Sequence, residues 1–69
     1  MVLIALEFDK PRWTPAQARK WMKDNDVNYI GRAVQTAYSI RYDITKNRRF
    51  KTFGSKRTAQ GIRLIFGFL

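Results

Sequence analysis

The sequence predicts an α+β domain in which one helix covers one face of a three-stranded sheet, in the strand order 1-3-2. Three observations predict it. In residues 61–69, Ile62, Leu64, Phe66 and Phe68 alternate with Arg63, Ile65, Gly67 and Leu69, giving a strand with one wholly apolar face and a second mostly so. A strand apolar on both sides belongs inside a sheet. Residues 2–8 and 38–44 repeat the period-two pattern, and Trp13-Thr14-Pro15-Ala16-Gln17 between them carries the signals of a helix start.

The first strand, residues 2–8, places Val2, Ile4, Leu6 and Phe8 on one face and Leu3, Ala5 and Glu7 on the other. The Asp9-Lys10-Pro11-Arg12 turn ends it, because proline cannot donate to a ladder. Thr14 suits the N-cap, Pro15 the first helical position, and Gln17 the reciprocal partner of a capping box. Trp13, preceding the cap, is placed to pack on Ala18 as a hydrophobic staple. The helix, residues 14–25, turns Ala18, Trp21 and Met22 inward, with Lys20 and Asp24 paired four apart on the outside. Asp24-Asn25-Asp26 stops it with turn-favouring side chains.

Residues 27–36 have no clear period and Gly31 interrupts them, and residues 32–37 either enter a strand early or form an irregular edge. The second strand is expected at 38–44, with Tyr38, Ile40, Tyr42 and Ile44 on one face and Ser39, Arg41 and Asp43 on the other. A loop at 45–60 follows, holding six basic residues and no acidic one. Loops of this length in compact domains are usually functional or disordered. The strand at 61–69 then returns between the first two, antiparallel to both.

At 69 residues the chain is read as a single domain, 1–69, near the lower size at which one core outweighs chain entropy. It contains no cysteine and no histidine, which removes disulfides, thiolate metal sites, and the commonest general base and metal ligand. The carboxylates Glu7, Asp9, Asp24, Asp26 and Asp43 are scattered, and Gly54-Ser55-Lys56-Arg57-Thr58 is only a fragment of a phosphate loop. No enzyme, cofactor, metal or small-molecule substrate is therefore expected. The apolar start is broken by Glu7 and lacks a basic leader, so no targeting signal is expected, and the helix lacks the apolar face of a membrane-surface segment.

Charge is the most informative property. The net charge is +9, and its distribution is uneven: residues 1–31 hold five basic and four acidic side chains, whereas 32–69 hold nine and one. Such asymmetry points to a polyanionic partner, nucleic acid first. Arg41, Lys46, Arg48, Arg49, Phe50, Lys51, Phe53, Lys56, Arg57 and Arg63 are the candidate nucleic-acid-binding residues, the cations for phosphates and the two rings for unpaired bases. No acids nearby in sequence, Asp43 apart, are available to neutralise these cations. The competing structural account folds Phe50 and Phe53 back onto the open sheet face. An alternative function is an interaction module, a capsid-associated or host-protein-binding protein that uses its sheet face or edge, with a homodimer or a larger viral assembly among its partners and Tyr29, Tyr38 and Tyr42 as interface rings.

Trp13-Thr14 with Ala18 and Trp21, then Tyr38-Ser39-Ile40-Arg41-Tyr42-Asp43, Arg49-Phe50-Lys51 and the closing Gly61-Ile62-Arg63-Leu64-Ile65-Phe66-Gly67, together resemble a small module of uncharacterised proteins in tailed phages and large DNA viruses. In some phage proteins the pattern is similar to a segment attached to head-assembly proteins. The resemblance spans nearly the whole chain and carries no catalytic role. It implies a small viral protein, structural or host-directed, working in the cytoplasm or nucleus of an infected host cell or in the virion.

Overall fold

The structure, a computed structural model, describes residues 2–46 and 50–68. Its elements in chain order are β1 (Val2–Asp9), α1 (Pro15–Asp24), β2 (Ile30–Gln35), β3 (Ser39–Asp43), β4 (Thr52–Arg57) and β5 (Ile62–Phe68). All five strands form one sheet in the order β2-β3-β1-β5-β4, and every neighbouring pair is antiparallel. The class is α+β, but a three-stranded sheet of order 1-3-2 is not what forms.

The central strand is β1, not the C-terminal one. Ile4, Ala5, Leu6 and Phe8 are all buried, so β1 is the strand enclosed on both faces, and a small Ala5 suffices on the side without a helix. β5 also lies inside the sheet, but between β1 and β4. Its outer edge is paired by β4, an element that has no apolar alternation of its own, and its second face is covered at Gly67 by the ring of Phe50. The expected loop at 45–60 thus contains a strand, and the unpatterned stretch at 27–36 contains another. Both are edge strands, and an edge strand is held by backbone pairing on one side and needs little burial to persist. Thr52, Phe53, Ser55, Lys56 and Arg57 are accordingly all exposed.

A register shift between Leu3 and Ala5 marks a bulge at Ile4, whose carbonyl accepts hydrogen bonds from the backbone N–H groups of both Ile44 and Thr45. The bulge restores burial to Leu3, which pairs with Phe66 on the helix-bearing face. It also anchors the start of the connection leading to β4, reinforced by Thr45 Oγ1 donating to the Leu3 carbonyl at 3.0 Å.

The helix begins as its sequence dictates. Thr14 is the N-cap and accepts from the Gln17 N–H, Gln17 Oε1 accepts from the Thr14 N–H, and Pro15 occupies the first turn. Ala18 and Met22 are fully buried against Leu6, Phe8, Ile40, Tyr42 and Ile62. Trp21 is only half-buried and meets Phe8 edge-on at 5.9 Å. Trp13 packs edge-on against Phe8 at 5.1 Å, and its indole N–H donates to the Gln60 carbonyl at 2.8 Å, tying the helix entry to the turn before β5. On the outer face Lys20 Nζ meets Asp24 Oδ2 at 2.8 Å, and this hydrogen bond raises the lysine pKa.

Candidate nucleic-acid interface

The side chains opposite the helix decide what this surface can bind. Strand alternation and register place Arg41, Glu7, Arg63 and Arg57 in one row across β3, β1, β5 and β4 of that open face. Asp43 and Asp9 lie in the rows on either side. Arg41 Nε donates to Asp43 Oδ1 at 3.1 Å, Arg63 Nη1 lies 3.6 Å from Glu7 Oε1, and Arg57 donates to Asp9. Three of the predicted cations are therefore partnered. Asp43 is the one acid near them in sequence; β1, distant in sequence, runs between β3 and β5 and brings Asp9 to Arg57 and Glu7 to Arg63. Pairs this exposed contribute roughly 0.2–1 kcal/mol each to stability. Their main effect is to hold guanidinium groups in fixed positions.

The remaining predicted residues gather around β4. Lys46, Lys51 and Lys56 are exposed and make no ion pair among the described residues. Lys56 pairs with Leu64, so it emerges on the helix-bearing side of the sheet, whereas Phe53 and Arg57 emerge on the open side. Arg48 and Arg49 lie outside the described residues. The backbone N–H of Lys51 donates to the Phe68 carbonyl at 2.8 Å, which fixes the chain as it enters β4.

The two phenylalanines take different roles. Phe50 lies over Gly67, where a β-carbon would come within 2.5 Å of its ring, so glycine is what lets the ring approach the β5 backbone. Phe53 meets Phe50 edge-on at 6.2 Å and remains 53% exposed. Phe50 thus folds back onto the open face as a small satellite of the core, and Phe53 stands on it as an accessible ring.

Of the rings proposed for an interface, Tyr42 is buried and Tyr38 is exposed. Tyr42 is fully buried, packed edge-on against Phe8 and Tyr29, with its hydroxyl 3.4 Å from the Pro15 carbonyl. Tyr38, expected in strand alternation with Ile40 and Tyr42, instead precedes β3 in a tight turn and is 83% exposed. The turn is organised by Thr36, whose Oγ1 accepts from the N–H groups of Tyr38 and Ser39 while its own N–H donates to the Ser39 carbonyl. A groove beside this ring is lined by Glu7, Asp9, Lys10, Thr36, Ser39, Arg57 and Arg63. The spacing of Thr36 from Ser39 was the sequence signal for this turn, masked by the apparent period running back through Tyr38.

Among the described residues, no group of acidic side chains is arranged to hold a metal ion, and no helix is long and apolar enough to cross a membrane. No protein-family model matches the chain, and neither a characterised protein nor a solved structure is recognisably similar to it.

Proposed function

We propose that the β4 edge and the connection entering it bind the phosphate backbone of nucleic acid with little sequence preference. One observation carries this: from Ile44 onward the sequence has seven basic residues and no acid, and only Arg57 and Arg63 of the seven find described acidic partners. Lys46, Lys51 and Lys56 are the exposed cations with no acidic partner among the described residues, beside the exposed ring of Phe53, and Arg48 and Arg49, outside the described residues, add to the basic charge of this part of the sequence. Lysines on both sides of an edge strand neutralise a backbone but present no rigid fork to base edges, so sequence discrimination is weak. A viral setting, in an infected cell or a virion, rests on the sequence resemblance alone.

Electrophoretic shifts of unrelated sequences at several salt concentrations test this proposal. If roughly three to five cations reach phosphates, log affinity falls against log salt with a slope of about −2 to −4.5. The triple variant Lys46→Ala, Lys51→Ala, Lys56→Ala should weaken binding to every sequence alike and flatten that slope by about two units. Removing Arg19, Lys20 and Lys23 from the helix should do much less. Equal loss from both triple variants would reduce the effect to bulk charge, and no binding at low salt would reject the proposal.

A second proposal, a capsid-associated or host-protein-binding module, is favoured by the other edge. There Ile30 and Val34 of β2 are exposed large apolar side chains, a surface suited to strand addition. A partner held there would resist salt, which separates the two.

A further inference from the structure

We infer that the groove beside Tyr38 is a stacking site for one unpaired base, so that the preferred ligand is single-stranded nucleic acid crossing the open sheet face between Phe53 and Tyr38. This inference rests on the proposed backbone binding and adds to it a second contact point and a strand preference. Tyr38 has the two properties a stacking platform needs. Its ring stands in solvent, 83% exposed, and its backbone is fixed, since Thr36 Oγ1 accepts the Tyr38 N–H at 3.2 Å and the Tyr38 carbonyl accepts the Lys10 N–H at 2.9 Å. An exposed ring on a fixed turn loses little conformational freedom when a base stacks on it.

The cations of the groove point the right way for the phosphates that flank such a base. Arg57 and Arg63 have side chains 55% and 44% exposed, over carboxylates of Asp9 and Glu7 that are 26% and 21% exposed. The acids lie deeper and hold the guanidinium groups from beneath, leaving outward N–H donors for an incoming phosphate. Lys10 adds a third cation at the rim. Duplex bases already stack on one another, so a lone ring on a sheet surface gains only from an unpaired one.

Affinities of wild type, Tyr38→Ala and Tyr38→Phe for oligothymidylate, oligouridylate and a mixed-sequence duplex test the inference. Tyr38→Ala should weaken both single strands by about 5- to 100-fold, the size of one lost base stack. The salt slope should stay unchanged, because no cation is removed, and Tyr38→Phe should restore affinity to within about twofold because a ring is retained. The duplex should bind more weakly than either single strand and be insensitive to Tyr38. If Tyr38→Ala matches wild type on single strands while the Lys46, Lys51, Lys56 triple variant loses affinity, the stacking site is wrong and the backbone proposal stands. Loss on only one of the two homopolymers overturns a pure stacking role, and a duplex bound as tightly as single strands overturns the strand preference. A wild-type dimer that Tyr38→Ala converts to monomer would assign the ring to a second copy of the chain. No binding by wild type to any of the three would instead reject backbone binding itself.

Discussion

Asp26 occupies the left-handed position that closes the helix, with φ at 56°. Around it the Val27 N–H donates to the Met22 carbonyl and the Asp26 N–H to the Lys23 carbonyl, the paired bonds of a Schellman ending. Aspartate tolerates this conformation better than most residues, yet its β-carbon still pays there, and its negative charge opposes the macrodipole at a helix C-terminus. Asp26→Gly relieves both and should stabilise the protein by about 0.5–1 kcal/mol, a rise of roughly 2–8 °C in the melting temperature of a domain this size. A thermal melt that falls would show that the Asp26 side chain makes a contact worth more than the strain.

The element with the most at stake is β4, whose outer edge pairs with no described strand. Its donors and acceptors are a template for another chain, and the charged side chains of Lys51, Lys56 and Arg57 are the usual defence against that. Replacing Lys56 by Val should leave the fold intact, since the side chain is exposed, but raise light scattering on warming well above wild type. Unchanged scattering would mean that Arg57 and Lys51 protect the edge by themselves. The same residues thus have a structural reason to be basic beside the proposed binding role. The two are separable, because edge protection is lost with a charge on β4 itself and is read by scattering, while the salt slope counts every cation that reaches a phosphate.

For the molecule as a whole, stability converges on Phe8, whose ring meets Trp13, Trp21 and Tyr42 edge-on at 5.1, 5.9 and 5.9 Å. A single core of this size supplies only about 3–5 kcal/mol of net stability, and Phe→Ala in a core costs about the same. Phe8→Ala should therefore abolish the cooperative melt. Trp21→Ala should leave a folded protein with a lowered midpoint, because that side chain is only partly buried and packs at the margin of the core. The reverse order would mean that the helix, rather than β1, organises the core.

Local chemistry determined where the helix begins, where it pairs Lys20 with Asp24, and which residues of 2–8 and 62–68 are apolar at strand spacing. These features depend on side chains a few positions apart, so they are legible in one dimension. The cationic character of residues 46–57 is legible for the same reason. Only the tertiary structure decided that β1 is the centre of the sheet, because the strands that pair with its two edges, β3 and β5, are remote in sequence. It also revealed β2 and β4, which owe their existence to one ladder of backbone hydrogen bonds each and so carry no apolar period to detect. The candidate site divides in the same way. Lys46, Lys51, Lys56 and the accessible ring of Phe53 were visible as residue types, whereas the pairing of Arg57 with Asp9 and of Arg63 with Glu7 exists only once β1 and β5 lie side by side. Tyr38 is the sharpest case: alternation alone sets it in one row with Ile40 and Tyr42, which are buried, and a hydrogen-bonded turn built on Thr36 lifts it into solvent.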